Sequence, residues 1–480
     1  MRKASTPDQR ISTTHCAVRA SRPRRGVLHL SAGAWIIVLI AVVSTCAVAI
    51  WPIPKRSGLD MWTSARAHVP MYEPVIARWN EDHSPPVNLF LLSSDVLGRR
   101  MMSGFLSQTP LADIIEIERS QVGRAFAGPL EDVGFVDLTE RIHREGLYEQ
   151  MNEPSFSPWS SRGHIFGLPH DVHPMMLVYR ADIVEAAGID VSKIQTWDDF
   201  ARLMRPLMND LDREGQPKRY PLSLWYTSPD QVEALVLQAG GGYFDDQGHP
   251  VIDSDSNARV ISTIVSWTAG PTRIAADAPE FTGSGNELRI QGFVVCSLMP
   301  DWLGGVWKLD LPQLRGKLKL MPLPAWTRGG RRTSVWGGTM LGIPKTADLE
   351  KVWPFARQLY FNESVARKLY ETNDIISPVK SMWKSEFYGL PDPYFSGQSP
   401  GSMYIALAPM VPRRTSSPYN MMAKERVQDA LIFLREYAIA HNQYDPYQLI
   451  PEAKRQLREA QESVARQLSH NVFLRQERSG

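Results

Sequence analysis

From Leu59 onward the chain alternates short apolar runs with segments whose apolar residues recur at helical spacing. Leu59–Thr63, Val87–Leu92 and Ala112–Ile117 are brief runs rich in apolar residues, and each predicts a strand. Between the first two, Tyr72, Val75, Ile76 and Trp79 share one face of a helix led by Pro70. Arg99–Leu106 predicts a second helix. Strands and helices alternating at this interval predict a parallel sheet with crossover helices, an α/β fold.

The stretch from Gly163 to Phe200 carries the densest local information. Gly167 and Pro169 punctuate an apolar pair, and Met175–Tyr179 form a continuous apolar run bounded by Pro174 and Arg180, as in a buried strand. Ile183, Val184 and Ala187 lie on one face of a short helix that Gly188 can end in the left-handed region. Thr196 followed by Asp199 predicts a capping box, and Phe200, Leu203, Met204, Leu207 and Leu211 continue an amphipathic helix.

These same residues, Gly-x-Ile-Phe-Gly-Leu-Pro (163–169), an apolar strand ending Tyr-Arg-Ala-Asp-Ile (179–183), Ala-Ala-Gly-Ile (186–189) and Thr-Trp-Asp-Asp-Phe (196–200), resemble the central signature of the extracellular solute-binding proteins of family 1. The opening is similar too, with Trp62-Thr63 on the first strand and Ala-Asp-Ile-Ile-Glu at 112–116. Residues 331–345 resemble the family's second crossover, and the likeness covers roughly residues 59–445. The resemblance implies a periplasmic-binding-protein-like type II fold: two α/β lobes with a ligand cleft between them. It places residues 59–169 and 336–390 in the first lobe, and 170–335 and 391–480 in the second.

Further along, Tyr220–Tyr226 and Phe293–Leu298 predict strands, Val232–Leu237 a helix, and Gly240–Gly242 a turn that lacks the sequence of a phosphate loop. Trp353–Leu359, Ser364–Tyr370, Val427–Ala438 and Ala453–Leu468 predict helices. Phe387–Tyr419, rich in Pro, Gly and Ser, predicts loops.

Charge divides the chain. Residues 1–58 hold nine Lys or Arg against Asp8, so a chain total of +2 leaves the remainder at −6. A mildly acidic body lacks the basic footprint that nucleic acid requires. Residues 1–25 form a basic leader. Residues 26–54 contain no Asp, Glu, Lys or Arg and suit a transmembrane anchor, a signal segment cleaved near Ala47-Val48-Ala49, or a lipidated start at Cys46; the arginines at 19, 22, 24 and 25 favour an anchor with the body outside. All three export the body. Three cysteines, Cys16, Cys46 and Cys296, build neither a disulfide framework nor a thiolate metal site.

A sugar presents hydroxyls on its edge and C–H groups on its faces, which carboxylates, Arg and flat aromatic rings complement. Glu116 and Glu118 at the end of the third strand, and Trp62 at the end of the first, are candidates by the rule that ligands bind beyond the carboxyl ends of strands. His170 and Asp171 lie at the crossover; His170, Asp171 and His173 on a strand would point to different faces, so no metal site is expected. Trp225, Tyr226, Trp302, Trp336 and Arg413 complete the candidate ligand set. No catalytic set is expected, since the chain has no Gly-x-Ser-x-Gly, His-Glu-x-x-His or P-loop. The reading is an exported, monomeric binding protein at the outer face of the cytoplasmic membrane. As the resemblance implies, it captures a sugar or polyol by hinge closure, delivers it to an ABC importer permease and needs no cofactor. A ligand-sensing subunit and a carbohydrate-active enzyme are the rival classes.

Overall fold

The computed structural model describes residues 31–50 and 58–471. The basic leader at 1–25, both ends of the 26–54 segment and residues 472–480 lie outside the described residues. Two compact units divide the chain, Met1–Arg56 and Ser57–Gly480. In the first, Ala32–Ile50 forms a helix of 19 residues. No helix among the described residues is long and apolar enough to cross a membrane.

In the second unit ten strands form two sheets. They are β1 (Leu59–Thr63), β2 (Val87–Leu91), β3 (Ile114–Glu118), β4 (Leu168–Pro169), β5 (Met175–Arg180), β6 (Tyr220–Ser223), β7 (Ala275–Ala276), β8 (Val294–Pro300), β9 (Leu318–Pro322) and β10 (Thr339–Gly342). The first sheet runs β2-β1-β3-β10-β4 and the second β9-β5-β8-β6-β7. β1 is parallel to β2 and β3, as the alternating pattern predicts. β10 joins β3 antiparallel because it returns from the other sheet, setting Leu341 opposite Glu116 and Thr339 opposite Glu118.

All six residues of β5 and all seven of β8 are buried, which matches their unbroken apolar runs. The chain passes between the sheets twice, through residues 170–174 and again before β10. The two passes lie antiparallel, bridged at Pro174 and Val335. Met175 N donates to Ser334 O at 3.1 Å and His170 N to Thr339 O at 3.1 Å.

Local expectations largely hold. The helix Val69–Asp82 buries Tyr72, Val75, Ile76 and Trp79. Gly188 takes φ +68 just past the helix Ala181–Ala186, and Thr196 and Asp199 form a reciprocal capping box. Two expectations need correction. The amphipathic helix does not reach Leu211: it ends at Met204 and tightens to a 3₁₀ turn over Arg205–Met208, because Pro206 removes a donor and crowds the preceding turn. Leu211 is exposed. Residues 387–419, expected as loops, include the helix Pro400–Leu407 and bury Phe387, Tyr388, Tyr394, Phe395, Tyr404 and Leu407. Tyr404 Oη donates to Met299 O at 3.2 Å and Tyr394 Oη to Trp307 O at 3.0 Å, so tertiary packing orders a segment that has no periodicity of its own.

Candidate functional site

A cavity of about 430 Å³ opens where the two passes meet the carboxyl ends of the strands. Each wall comes from a different stretch of sequence. Glu118 ends β3 and Arg119 follows it. Asp171 and His173 lie on the first pass, and Trp336, Gly337 and Gly338 on the second. The helix Pro229–Gln238 contributes Asp230 and Glu233, the helix Asp301–Asp310 contributes Trp302, and the late chain adds Arg414 and Lys424.

The two glycines are needed where they stand. Gly337 and Gly338 take φ +95 and +125; a Cβ on Gly337 would meet Trp302 Nε1 at 3.1 Å, and one on Gly338 would meet Arg414 Nη2 at 3.2 Å. Their close approach lets Trp302 Nε1 donate to Trp336 O at 2.9 Å and Arg414 Nη1 to Gly337 O at 2.5 Å. The Trp302 and Trp336 rings stand edge to face, with centroids 5.5 Å apart and 79° between planes. Phe281, exposed and at φ +61, lies parallel to Trp302 at 6.1 Å.

The polar wall is tightly paired. Arg119 Nη1 and Nη2 donate to the two oxygens of Glu233, each at 2.9 Å, and Lys424 Nζ lies 2.5 Å from Asp230 and 2.8 Å from Glu233. His173 has φ +55, which turns its ring back so that Nε2 reaches Asp171 Oδ2 at 3.1 Å while Nδ1 reaches Asp301 Oδ1 at 2.7 Å. Burial lowers the His173 pKa, but the charges of Asp171 and Asp301 outweigh it and raise the imidazole to about 10. Residues 170–174 are not a strand. The left-handed turn lets both His170 Nδ1, at 3.2 Å, and His173 reach one carboxylate, contrary to the expectation of opposite faces. Glu118, half-exposed, is raised by burial and by the nearby Glu116 charge.

Behind this wall, Glu116 is a hydrogen-bond hub. Its carboxylate accepts from Thr63 Oγ1, from Tyr72 Oη at 2.6 Å and from Tyr360 Oη at 3.2 Å, and lies 3.0 Å from His68 Nδ1. Burial raises its pKa, but His68, His170 and Thr63 outweigh that and bring it to about 2. Donor atoms of His68, Glu116 and His170 lie within 4.8 Å of one another, close enough to suggest a metal. The two imidazoles, however, stack at 4.1 Å with 29° between planes. Ring lone pairs lie in the ring plane, so stacked rings aim side by side and do not converge on one ion. The geometry builds a charge-and-hydrogen-bond cluster that stiffens the floor of the cavity.

The profile of the bacterial extracellular solute-binding proteins matches residues 101–389, more than half of the chain. The chain belongs to that family. As a solute-binding protein of this family it works outside the cytoplasm, and members of the family bind rather than transform their solutes. It is similar to the arabinooligosaccharide-binding protein of Halalkalibacterium halodurans, at 25% identity over 70% of this chain and 74% of the relative. The arabinooligosaccharide-binding protein of Bacillus subtilis is 24% identical over 64% of this chain and 71% of its own length. Among solved structures, the sugar-binding protein MalE from Xanthomonas citri superposes with a TM-score of 0.67 at 15% identity, covering 86% of this chain and 99% of that one. That likeness shows the fold, the two-lobe α/β type II binding-protein architecture.

In this solute-binding protein, Glu118, Asp171, Trp302 and Trp336 are the sequence candidates that meet on the cavity wall. The others stand elsewhere. Glu116 and His170 are buried behind the wall. Trp62 packs among the apolar residues under β1 and β3, with the Arg100 guanidinium 5.9 Å over its ring. Trp225 and Tyr226 lie away from the cavity; Trp225 N donates to Gln231 Oε1, and Arg435 covers Tyr226 at 5.1 Å. Arg413 lines a smaller neighbouring cavity. Arg119, Asp230, Glu233, Arg414 and Lys424 on the wall are not among the sequence candidates, and His173, weighed in the sequence only as a metal ligand, also lines it. Arg119 was legible in principle, since it directly follows a parallel strand. Arg414 and Lys424 carry no local signal, because distant packing alone brings them to the wall.

Proposed function

We propose that the chain captures a sugar or related polyol in the 430 Å³ cavity by hinge closure and delivers it to an ABC importer. One observation carries the reading: two perpendicular indole planes, Trp302 and Trp336, share a cavity with the carboxylates Glu118 and Asp171 and the guanidinium Arg414. Rings complement the C–H faces of a sugar, and the charged groups complement its hydroxyl edge. Both curated relatives are named for arabinooligosaccharides, which supports a saccharide with more than one ring.

In this reading the lobes are residues 59–169 with 336–390 and residues 170–335 with 391–480. The paired passes at Pro174 and Val335 act as the hinge. The uncharged segment at 26–54, preceded by four arginines, tethers the protein to the cytoplasmic membrane with the body outside. The protein acts as a monomer and leaves its ligand chemically unchanged.

The test is calorimetry and thermal unfolding of the full chain against arabino-, galacto- and malto-saccharides, polyols and amino acids, with chromatography of the recovered ligand. A ligand at a hundredfold excess over its Kd adds about 2.7 kcal/mol of stability. Saccharide binding with intact ligand is the expected result. Ligand cleavage would make the chain an enzyme, and binding confined to amino acids would overturn the sugar reading. Binding without a permease encoded beside the gene would favour a sensing subunit.

A further inference from the structure

A smaller cavity of about 70 Å³ lies beside the main one and shares Arg119, Glu233 and Arg414 with it. Arg413 and Tyr243 complete the part of its wall that matters here. Three guanidinium groups thus face a single carboxylate, and that carboxylate is fully engaged. Both oxygens of Glu233 accept from Arg119, and Lys424 also pairs with it.

Arg414 is 6% exposed. Its guanidinium reaches a backbone carbonyl, Gly337 O, and has no carboxylate within ion-pair distance among the described residues. Arg119 Nε, Arg414 Nε and Tyr243 Oη are buried donors without an acceptor among the described residues. Burial, and then the charge of Arg119 beside it, pull the Arg414 guanidinium down to about 9, against the opposing charges of Glu233, Asp171 and Asp230. A buried cation next to a second cation needs a counter-charge, and a buried donor needs an acceptor.

We propose that this cavity is a binding site for an oxyanion: a phosphate, sulfate or carboxylate group. Guanidinium forks match the oxygens of such groups in geometry and charge. At about 70 Å³ against about 430 Å³ for its neighbour, the cavity suits a small group such as a single oxyanion. The anion is either free in solution or an acidic substituent on a ligand held in the adjoining cavity. The proposal rests on the charge of the wall and stands apart from the sugar reading.

The experiment is thermal unfolding and calorimetry of the full chain with sodium phosphate, sulfate and glucuronate, each against sodium chloride at equal ionic strength. Phosphate is expected to raise Tm saturably above the chloride control. Arg414→Gln and Tyr243→Phe are each expected to weaken that binding at least tenfold. Arg413→Gln, at an exposed position where folding is not at stake, is expected to weaken it severalfold. Glucuronate binding that phosphate displaces and that Trp302→Ala also weakens would assign the site to an acidic group on a ligand held in the adjoining cavity. Anion binding that Trp302→Ala leaves unchanged, for phosphate and glucuronate alike, would assign it to a free anion. The absence of saturable stabilisation by any of the three anions, or phosphate binding unchanged in all three variants, overturns the proposal. Neither result depends on whether a neutral sugar binds.

Discussion

Arg119 and Glu233 form a bidentate ion pair that joins the end of β3, in the first sheet, to the helix Pro229–Gln238 beside the second. Both N···O distances are 2.9 Å, and the two side chains are 11% and 9% exposed. They lie 114 residues apart in sequence, so only the folded chain makes them partners. A pair bridging the cavity in this way holds the two sides together before any ligand contributes.

Breaking that pair from the acidic side is the more damaging change. Glu233→Gln leaves Arg119 without a counter-charge and leaves Lys424 only Asp230. A buried pair broken from one side costs about 3–5 kcal/mol, an upper range here because both groups are slightly exposed. Chemical denaturation of the variant is expected to show a fall of that order, and stopped-flow ligand release is expected to be faster. An unchanged release rate would remove the pair from any role in closure.

The aromatic wall predicts an order of effects. Trp302→Ala is expected to weaken saccharide binding by about 2 kcal/mol, roughly thirtyfold in Kd. Phe281, parallel to Trp302 and exposed, is placed to meet a second ring. Phe281→Ala is therefore expected to weaken binding of a trisaccharide more than that of a monosaccharide, as calorimetry with both would show.

Two buried groups set opposite limits on stability with pH. The folded pKa of Glu116, about 2, lies below its ordinary 4.5, so its contribution is present above pH 4.5 and is lost as pH falls toward 2. His173 is raised from 6.5 to about 10, so its contribution is present below pH 6.5 and is lost as pH rises through 10. A Tm profile is expected to fall on both sides. His173→Gln is expected to flatten the alkaline limb and leave the acid limb in place.

Gly338→Ala tests the close approach of the second pass. The residue would be strained at φ +125, and its Cβ would press on Arg414 Nη2. Ligand affinity is expected to drop by more than global stability, since the displaced groups belong to the cavity wall. Equal losses in both would indicate a general folding defect.

Much of the fold was legible because periodicity is a local property. The parallel opening β1, β2 and β3, the buried run of β5, the Thr196 capping box and the turn at Gly188 follow from neighbours along the chain. The segment 387–419 was not legible as packed structure, because its burial depends on Met299, Trp307 and Tyr370 and not on its own spacing. Within the candidate site, strand-end position singled out Glu118, but it also suggested Trp62, which faces the core. Alternation along a strand states that two faces exist and does not say which one meets the cavity.

By itself, then, the sequence determined an exported α/β body, its family, and a set of aromatic and acidic residues suited to a polar, ring-bearing ligand. These rest on local patterns and on motifs short enough to read along the chain. Tertiary structure decided which of those residues share a cavity. It brought Arg119 to Glu233, Arg414 to Gly337 and His173 to Asp301, contacts between residues 77 to 128 positions apart. No local pattern encodes such contacts, because their geometry depends on how the two sheets and the late chain pack around the crossing segments.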